Sequence, residues 1–448
     1  MDENTAELLE KIRQQFEFNP YPQVAIDSSP KDDLLKLYIH NLVTPYYVIN
    51  KQVIKPEERV ILDVGCGSGW TTLILAEANP GSKIIGIDIS EQSLDLARER
   101  LHYHGFEKVD FHLLSLDELP KLGLEFDYIN CDELLYLFPE PAVALKAMKS
   151  VLKPQGIIRS NLHSSLQRFN CFRAQKIFQM MGLLDGNPED MEIEMALETL
   201  KALKDSVDLK TKVWSPSNEG EEQKQRVLMN YLFQGDKGYT IPELFAALRA
   251  ADLEFISMVN WRQWELMDLF KEPDNLPVFL ALGLPEISVE QRLHLFELLH
   301  PIHRLLDFWC GHPKCAQPFV PVAEWSSSDW HTAKIHLHPQ LKTPAVKEAL
   351  LRCIKQLNPF KISRHLPIVG QEVLLDSTIG ACLLPLWEEA QSMQSLVERW
   401  QKLCPVHPVT LESTTDLEAF VIVRETLMGL ERSGYVLLEL EEGVGSRD

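Results

Sequence analysis

An α/β chain built on a doubly wound, mostly parallel sheet is predicted by three features. Apolar strand-like runs alternate with helix-length amphipathic segments over residues 54–165, the first run ends in a glycine-rich turn, and the first two runs each end in an acid. Strands buried on both faces read as continuous apolar runs, and alternation of strand and helix implies a parallel sheet with helices on both sides. Ligands of such sheets bind at the carboxyl ends of the strands.

Each element follows in order. Thr5 to Phe16 and Leu34 to Val43 have helical spacing, separated by Phe18-Asn19-Pro20-Tyr21-Pro22, which cannot be helical. Val60, Ile61 and Leu62 form the first strand, closed by Asp63 and the turn Gly65-Cys66-Gly67-Ser68-Gly69. A helix from Trp70 to Ala78 stops at Asn79-Pro80-Gly81, and a second strand from Lys83 to Ile87 ends in Asp88. Glu91 to Tyr103 carries Leu94, Ala97 and Leu101 at three- and four-residue steps, which predicts a helix. Val109 to Leu114 and Asp127 to Cys131 are the next strands. Pro141 to Leu152 reads as a helix stopped by Lys153-Pro154-Gln155-Gly156, and Gly156 to Asn161 as the fifth strand. Residues 166–235 then interrupt the rhythm with helices (Phe169 to Met181, Asp190 to Asp205) and acidic loops such as Ser215 to Glu222. Thr240-Ile241-Pro242-Glu243 opens the delayed helix, and Glu254 to Asn260 is the sixth strand. Beyond it, 273–285 reads as a linker. Helices are expected over Val289 to Trp309, Thr343 to Gln356, Cys382 to Ala390, Met393 to Leu403 and Asp416 to Arg432, with a last strand from Tyr435 to Leu440.

Bulk properties narrow the function. The 448 residues carry a net charge of −21, are 45% hydrophobic, and show no run of Lys/Arg. Nucleic-acid backbones and acidic membrane surfaces are disfavoured partners for such a chain. Eight scattered cysteines without a C-x-x-C pair suggest a reducing compartment, and the charged amphipathic start is unlike a signal peptide, so a cytoplasmic location is expected.

The spacing of Gly65, Gly67 and Gly69 departs from the dinucleotide fingerprint, because Trp70 stands where its third glycine would be. Asp63 is of no use to a pyrophosphate but suits a ligand bearing an ammonium group. The stretch resembles the first two motifs of class I S-adenosylmethionine-dependent methyltransferases, a D/E-x-G-x-G-x-G loop and an acid ending the next strand. FDYINCDELLYLFPEPAVALKAMKSVLKPQGI, FNPYP and YTIPELFAALRAADLEFISMV extend the likeness, to a bacterial subgroup, over about residues 15 to 265. The resemblance implies a Rossmann-like fold with S-adenosyl-L-methionine as cofactor. It places Asp63, Gly65, Cys66, Gly67 and Gly69 at the methionine end, Asp88 on the ribose hydroxyls, and Ile89 on the adenine. Where the family often has an acid on the adenine amino group, this chain has Ser115, followed by Leu116. Asn130, Cys131, Asp132 and Glu133 would lie beside the sulfonium. Asp132, Glu133, Tyr136 and His163 are the candidate bases, against a role in pocket shape only. No N-P-P-Y or Pro-Cys motif accompanies them, which argues against adenine-N6, glutamine or cytosine methylation.

Trp309-Cys310-Gly311-His312-Pro313-Lys314-Cys315 holds three potential zinc ligands, and His331, His336 and His338 lack the paired spacing a structural site needs, so no metal is assigned. The expected domains are an N-terminal helical lid (1–50), a methyltransferase domain (51–270) with a helical cap inserted at about 166–235, and a C-terminal domain (285–448). The last is smaller, mainly α or α+β and winged-helix-like, and its acidity favours protein contact or homo-oligomerisation. The acceptor stays open between a protein side chain, suggested by the appended domain, and a small molecule, suggested by the cap. A cofactor-binding sensor or scaffold and an NAD-dependent oxidoreductase are the competing classes.

Overall fold

The computed structural model describes residues 3–18, 20–214, 220–316, 318–407 and 409–440, so Asn19 and the 215–219 part of the acidic loop lie outside the described residues. The chain forms two compact units. One comprises Met1–Ser28, Arg59–Leu73 and Lys83–Cys315; the other comprises Ser29–Glu58, Ile74–Ser82 and Ala316–Asp448.

The first unit is built on an eight-stranded sheet. Its strands are β1 (Val60–Val64), β2 (Lys83–Asp88), β3 (Val109–Leu113), β4 (Phe126–Cys131), β5 (Leu152–Ser164), β6 (Gly238–Tyr239), β7 (Glu254–Met258) and β8 (Leu305–Gly311). Their order is β3-β2-β1-β4-β5-β8-β7, with β6 pairing to β5. β1 pairs parallel to β2 and β4, and β4 to β5, so the chain reverses its winding direction beside β1. β8 is the exception and runs antiparallel to both β5 and β7. Ile61, Leu62, Ile129, Ile158 and Leu306 are fully buried in the sheet core.

Three expectations are corrected. Val289 to Trp309 is not one helix. The helix is Val289–Leu299, and after Pro301 the chain enters β8. Proline cannot continue a helix, and the apolar run Leu305–Cys310 gains its ladder by lying between β5 and β7. Cys382 to Ala390 is likewise replaced by a helix over Ser377–Leu383, capped by Asp376, and a turn at Leu384–Trp387. Leu34 to Val43 is two helices, Leu34–Ile39 and Val43–Asn50. The insertion contains helices Phe169–Met180, Asp190–Ala202, Asp208–Val213 and Glu221–Tyr231 around a small core of its own that includes Phe178, Leu197 and Leu232.

The second unit carries an antiparallel sheet of β9 (Ala333–Leu337), β12 (Gln391–Ser392) and β13 (Val436–Leu440), with β9 central; the short pair β10 (Phe360–Lys361) and β11 (Leu374–Leu375) stands apart. Helices Pro344–Gln356, Met393–Leu403 and Asp416–Ser433 pack around Ile335, Leu350, Leu396 and Leu427. Residues 29–58 belong to this unit rather than to the first. Thr44 Oγ1 lies 3.0 Å from His338 Nε2, and the Tyr47 hydroxyl donates to Glu431 at 2.9 Å. The sheet and these contacts draw the division at other places than 50, 270 and 285. No helix among the described residues is long and apolar enough to cross a membrane.

Candidate functional site

The glycine turn between β1 and the Trp70–Ala78 helix holds Gly65, Gly67 and Gly69 at φ of +66°, +50° and +77°. These are left-handed values that glycine adopts without strain. A close approach also explains Gly67. A Cβ there would meet the Tyr21 carbonyl oxygen at 2.2 Å. Residues 21–26 form a strap across the turn. Ser68 N donates to Tyr21 O (3.1 Å), Ser68 Oγ to Pro22 O (2.7 Å), and the buried Arg100 to Val24 O, Ala25 O and Ser68 O.

Asp88 ends β2 beside the turn. Its two oxygens accept from Gly67 N and Ser90 N, both at 2.9 Å. Ser90 caps the next helix through its own hydroxyl. Burial raises the Asp88 carboxyl, opposed by these backbone donors. Ile89, next to it, is 37% exposed. Ser115 caps the turn Leu116–Leu122, its hydroxyl 2.7 Å from an Asp117 oxygen and 2.9 Å from Glu118. Cys66 and Cys131 are buried, which pushes the Cys131 thiol up to about 12 and raises Cys66 as well.

Asp63 is 1% exposed and accepts from Thr72 Oγ1 (2.6 Å) and Asn130 Nδ2 (2.9 Å). Burial pushes its carboxyl to about 7 in spite of both donors. Asn130 Oδ1 in turn accepts from Arg159, whose guanidinium also binds Asp307 (2.8 Å) and reaches Asp132 (3.4 Å). A buried chain of polar groups thus runs across the strand ends from β1 through β4 and β5 to β8. Arg159 and Asp307 were not singled out in the sequence, because Asp307 fell inside a predicted helix.

The remaining candidates cluster at the ends of β4 and β5. Glu133 has φ +54°, a strained value for a side-chain-bearing residue, and its N–H donates to Asn161 Oδ1. Arg304 clamps the Glu133 carboxylate with both Nη atoms, Nη1 at 3.0 Å from Oε2. Burial would raise this carboxyl, but His163 and Arg304 outweigh it and hold it at about 2. The Tyr136 ring stacks on His163 at 3.7 Å between centroids. His163 Nδ1 lies 2.6 Å from Asp236, whose other oxygen accepts from Arg168 (2.9 Å) and Gln175 (2.7 Å). Tyr21 sits within the field of Glu133, and burial pushes its phenol up to about 12. The four candidate bases are therefore brought together. Tyr21 joins them from the FNPYP segment, and Asp236, Arg168 and Arg304 join them without any local sequence signal. Of the zinc candidates, Cys310 is buried in β8 and His312 Nε2 lies 3.2 Å from Leu152 O.

The residues fit an S-adenosylmethionine ligand. Each Asp88 oxygen takes one N–H and keeps a lone pair for a ribose hydroxyl, Ile89 offers an apolar face beside it, and the Ser115 oxygen can still accept. Comparison with known proteins agrees. Residues 55–225 match the family model described as methyltransferase domain. An uncharacterized Synechococcus protein is 28% identical over 274 residues, covering 60% of this chain and 63% of that protein. A ubiquinone biosynthesis O-methyltransferase of Hydrogenovibrio crunogenus is 34% identical over 136 residues, covering 29% and 55%. The chain therefore spans less than two thirds of these relatives' length. The structure of PKMT2 from Rickettsia typhi, at 16% identity, superposes with a TM-score of 0.58 over 91% of this chain and 76% of that one, a likeness of fold. Residues 55–225 thus match a methyltransferase domain, and the sheet order and glycine turn accord with the class I, S-adenosylmethionine-dependent kind.

Proposed function

We propose that the protein transfers the methyl group of S-adenosyl-L-methionine to an acceptor and releases S-adenosylhomocysteine. The observation that carries this is the pairing of Asp88, at the tip of β2, with the glycine turn through Gly67 N, in a sheet of this order. In this reading Asp63, Gly65, Cys66, Gly67, Gly69 and Asn130 hold the methionine end, Asp63 acting through Thr72 and Asn130 because it is buried. Asp88 and Ile89 take the ribose and adenine, with Ser115 and Leu116 at the ring edge. The strap at residues 21–26 covers the turn, the part of the expected N-terminal lid that the first unit retains. Asp132, Glu133, Tyr136 and His163 line the acceptor side. Methyl transfer from an activated donor needs positioning and exclusion of water more than covalent help. The sequence relatives named as O-methyltransferases bring an oxygen acceptor forward for this chain. Protein contact or self-association through residues 285–448 belongs to the same proposal, to be checked by the solution mass of the full chain.

The test incubates purified protein, methyl-labelled S-adenosylmethionine and cell extract, with Asp88→Ala as control. Label in a product, absent with the variant, is expected. Tight binding of S-adenosylhomocysteine with no label transferred at any pH would leave only the sensor reading. Stabilisation by NAD instead of S-adenosylhomocysteine would return the oxidoreductase.

A further inference from the structure

We propose that His163 is the proton acceptor in the transfer and that Asp236 is its positioning residue, so that the methyl acceptor is a group carrying O–H or N–H. The proposal rests on the methyl-transfer reading above.

Strand register sets up the pair. His163, near the end of β5, stands opposite Gly238 of β6 and Leu305 of β8. Asp236 lies two residues before the first partner and Arg304 one before the second, so the two charged side chains flank the imidazole. Arg304 Nη1 is 3.2 Å from Nε2, and Asp236 Oδ1 is 2.6 Å from Nδ1. A guanidinium can only donate, so Nε2 carries the lone pair and Nδ1 the proton, which it donates to Asp236. The Asp236 side chain is wholly buried and fixed by Arg168 and Gln175. A buried carboxylate behind Nδ1–H fixes the tautomer and stabilises the imidazolium once formed. The groups facing the ring are Asp236, Arg304, Tyr136 and Glu133, whose Oε2 is 3.7 Å from Nε2.

The other candidates are less suited. Glu133 is held by both arms of Arg304, Asp132 accepts from Asn161 and Arg159, and Tyr136 stacks on the histidine and donates toward Glu133. Arg304 covers Nε2 but its side chain is 45% exposed, so an acceptor O–H or N–H can take its place there. In the step, the acceptor lone pair forms a bond to the methyl carbon as the carbon–sulfur bond breaks, and the electron pair stays on sulfur as the thioether. The acceptor proton passes to His163 Nε2 and then to solvent. The insertion gains a second purpose, since its first helix supplies Arg168's neighbour Gln175 and its far end supplies Asp236.

The test measures label transfer to cell extract between pH 5 and 9 by wild type, His163→Gln and Asp236→Asn, with S-adenosylhomocysteine binding by calorimetry in each. Loss of a positioned general base lowers the rate by roughly 100- to 10,000-fold. His163→Gln is expected to fall in that range and to lose the acidic limb of the rate profile. Asp236→Asn should lower the plateau and displace the limb, with cofactor affinity changed less than threefold in both. An unaltered limb in His163→Gln overturns the proposal. Wild-type binding without transfer at any pH overturns the activity reading instead. Nitrogen-15 spectra of His163 in the wild type then decide the pair independently: protonated Nδ1 with bare Nε2 is expected, and the opposite tautomer refutes it.

Discussion

Replacing Gly67 by alanine should detach the strap at residues 21–26 from the glycine turn. Two effects add. An L-residue at φ +50° costs roughly 1–2 kcal/mol. The new Cβ would also stand 2.2 Å from the Tyr21 carbonyl oxygen, which is backbone and cannot rotate away. The strap must lift, giving up the hydrogen bonds of Ser68 N to Tyr21 O and Ser68 Oγ to Pro22 O. At about 1 kcal/mol net each, these bring the total to roughly 3–4 kcal/mol. Gly105→Ala is the control. Its φ is +80°, but no heavy atom lies within 4 Å of the added carbon, so only the conformational cost of about 1–2 kcal/mol applies. Hydrogen exchange at the Ser68 amide, with denaturant unfolding of the full chain, reads the difference. Gly67→Ala should lose about two decades of Ser68 protection, and Gly105→Ala should keep it. Equal protection in the two variants would refute the claim that the glycine is there for the strap.

Asp88→Ala should abolish detectable S-adenosylhomocysteine binding in calorimetry. It also strands the N–H groups of Gly67 and Ser90, costing about 1–3 kcal/mol each, so Asp88→Asn, which keeps one acceptor, should be the more stable of the two. Arg159→Met should cost about 1–3 kcal/mol in denaturant unfolding, because Asp132 and Asp307, both partly buried, lose a charged donor. Removing Asp307 as well should recover part of that loss. The pH dependence has two parts of opposite sign. Asp63 is raised to about 7, so its burial destabilises the ionised form, and stability should fall, on the order of 4 kcal/mol, as pH rises from about 4 to 7. Glu133 is depressed to about 2, so its contribution is present above the usual glutamate range and is lost as pH falls toward 2. Arg304→Met should diminish the acid-side loss, His163 keeping the rest, and leave the Asp63 slope, as read from unfolding midpoints at pH 3, 5 and 8.

What the residues determined unaided was local. A strand, a turn that needs positive φ at Gly65, Gly67 and Gly69, and an acid at the tip of β2 lie within thirty residues of one another, and each has a physical requirement that a particular residue type meets. The sheet's first five strands and the glycine turn with its neighbouring acid were legible for that reason. What tertiary structure decided was pairing across distance. β8 is an apolar run whose periodicity could continue a helix, and only the open edges of β5 and β7 make it a strand. Because β8 was misread, Asp307 and Arg304 were invisible as site residues. Asp236 closes a long insertion, and nothing in its neighbours announces that β6 will bring it 2.6 Å from His163. Ser115, expected as an adenine contact, stands in the structure as a cap, and an acid three residues on takes its hydroxyl. The proposed cofactor half of the site is thus written in one βαβ unit. The proposed acceptor half is assembled from residues 21, 133, 163, 236 and 304, whose proximity arises from the folded sheet rather than from any stretch of chain.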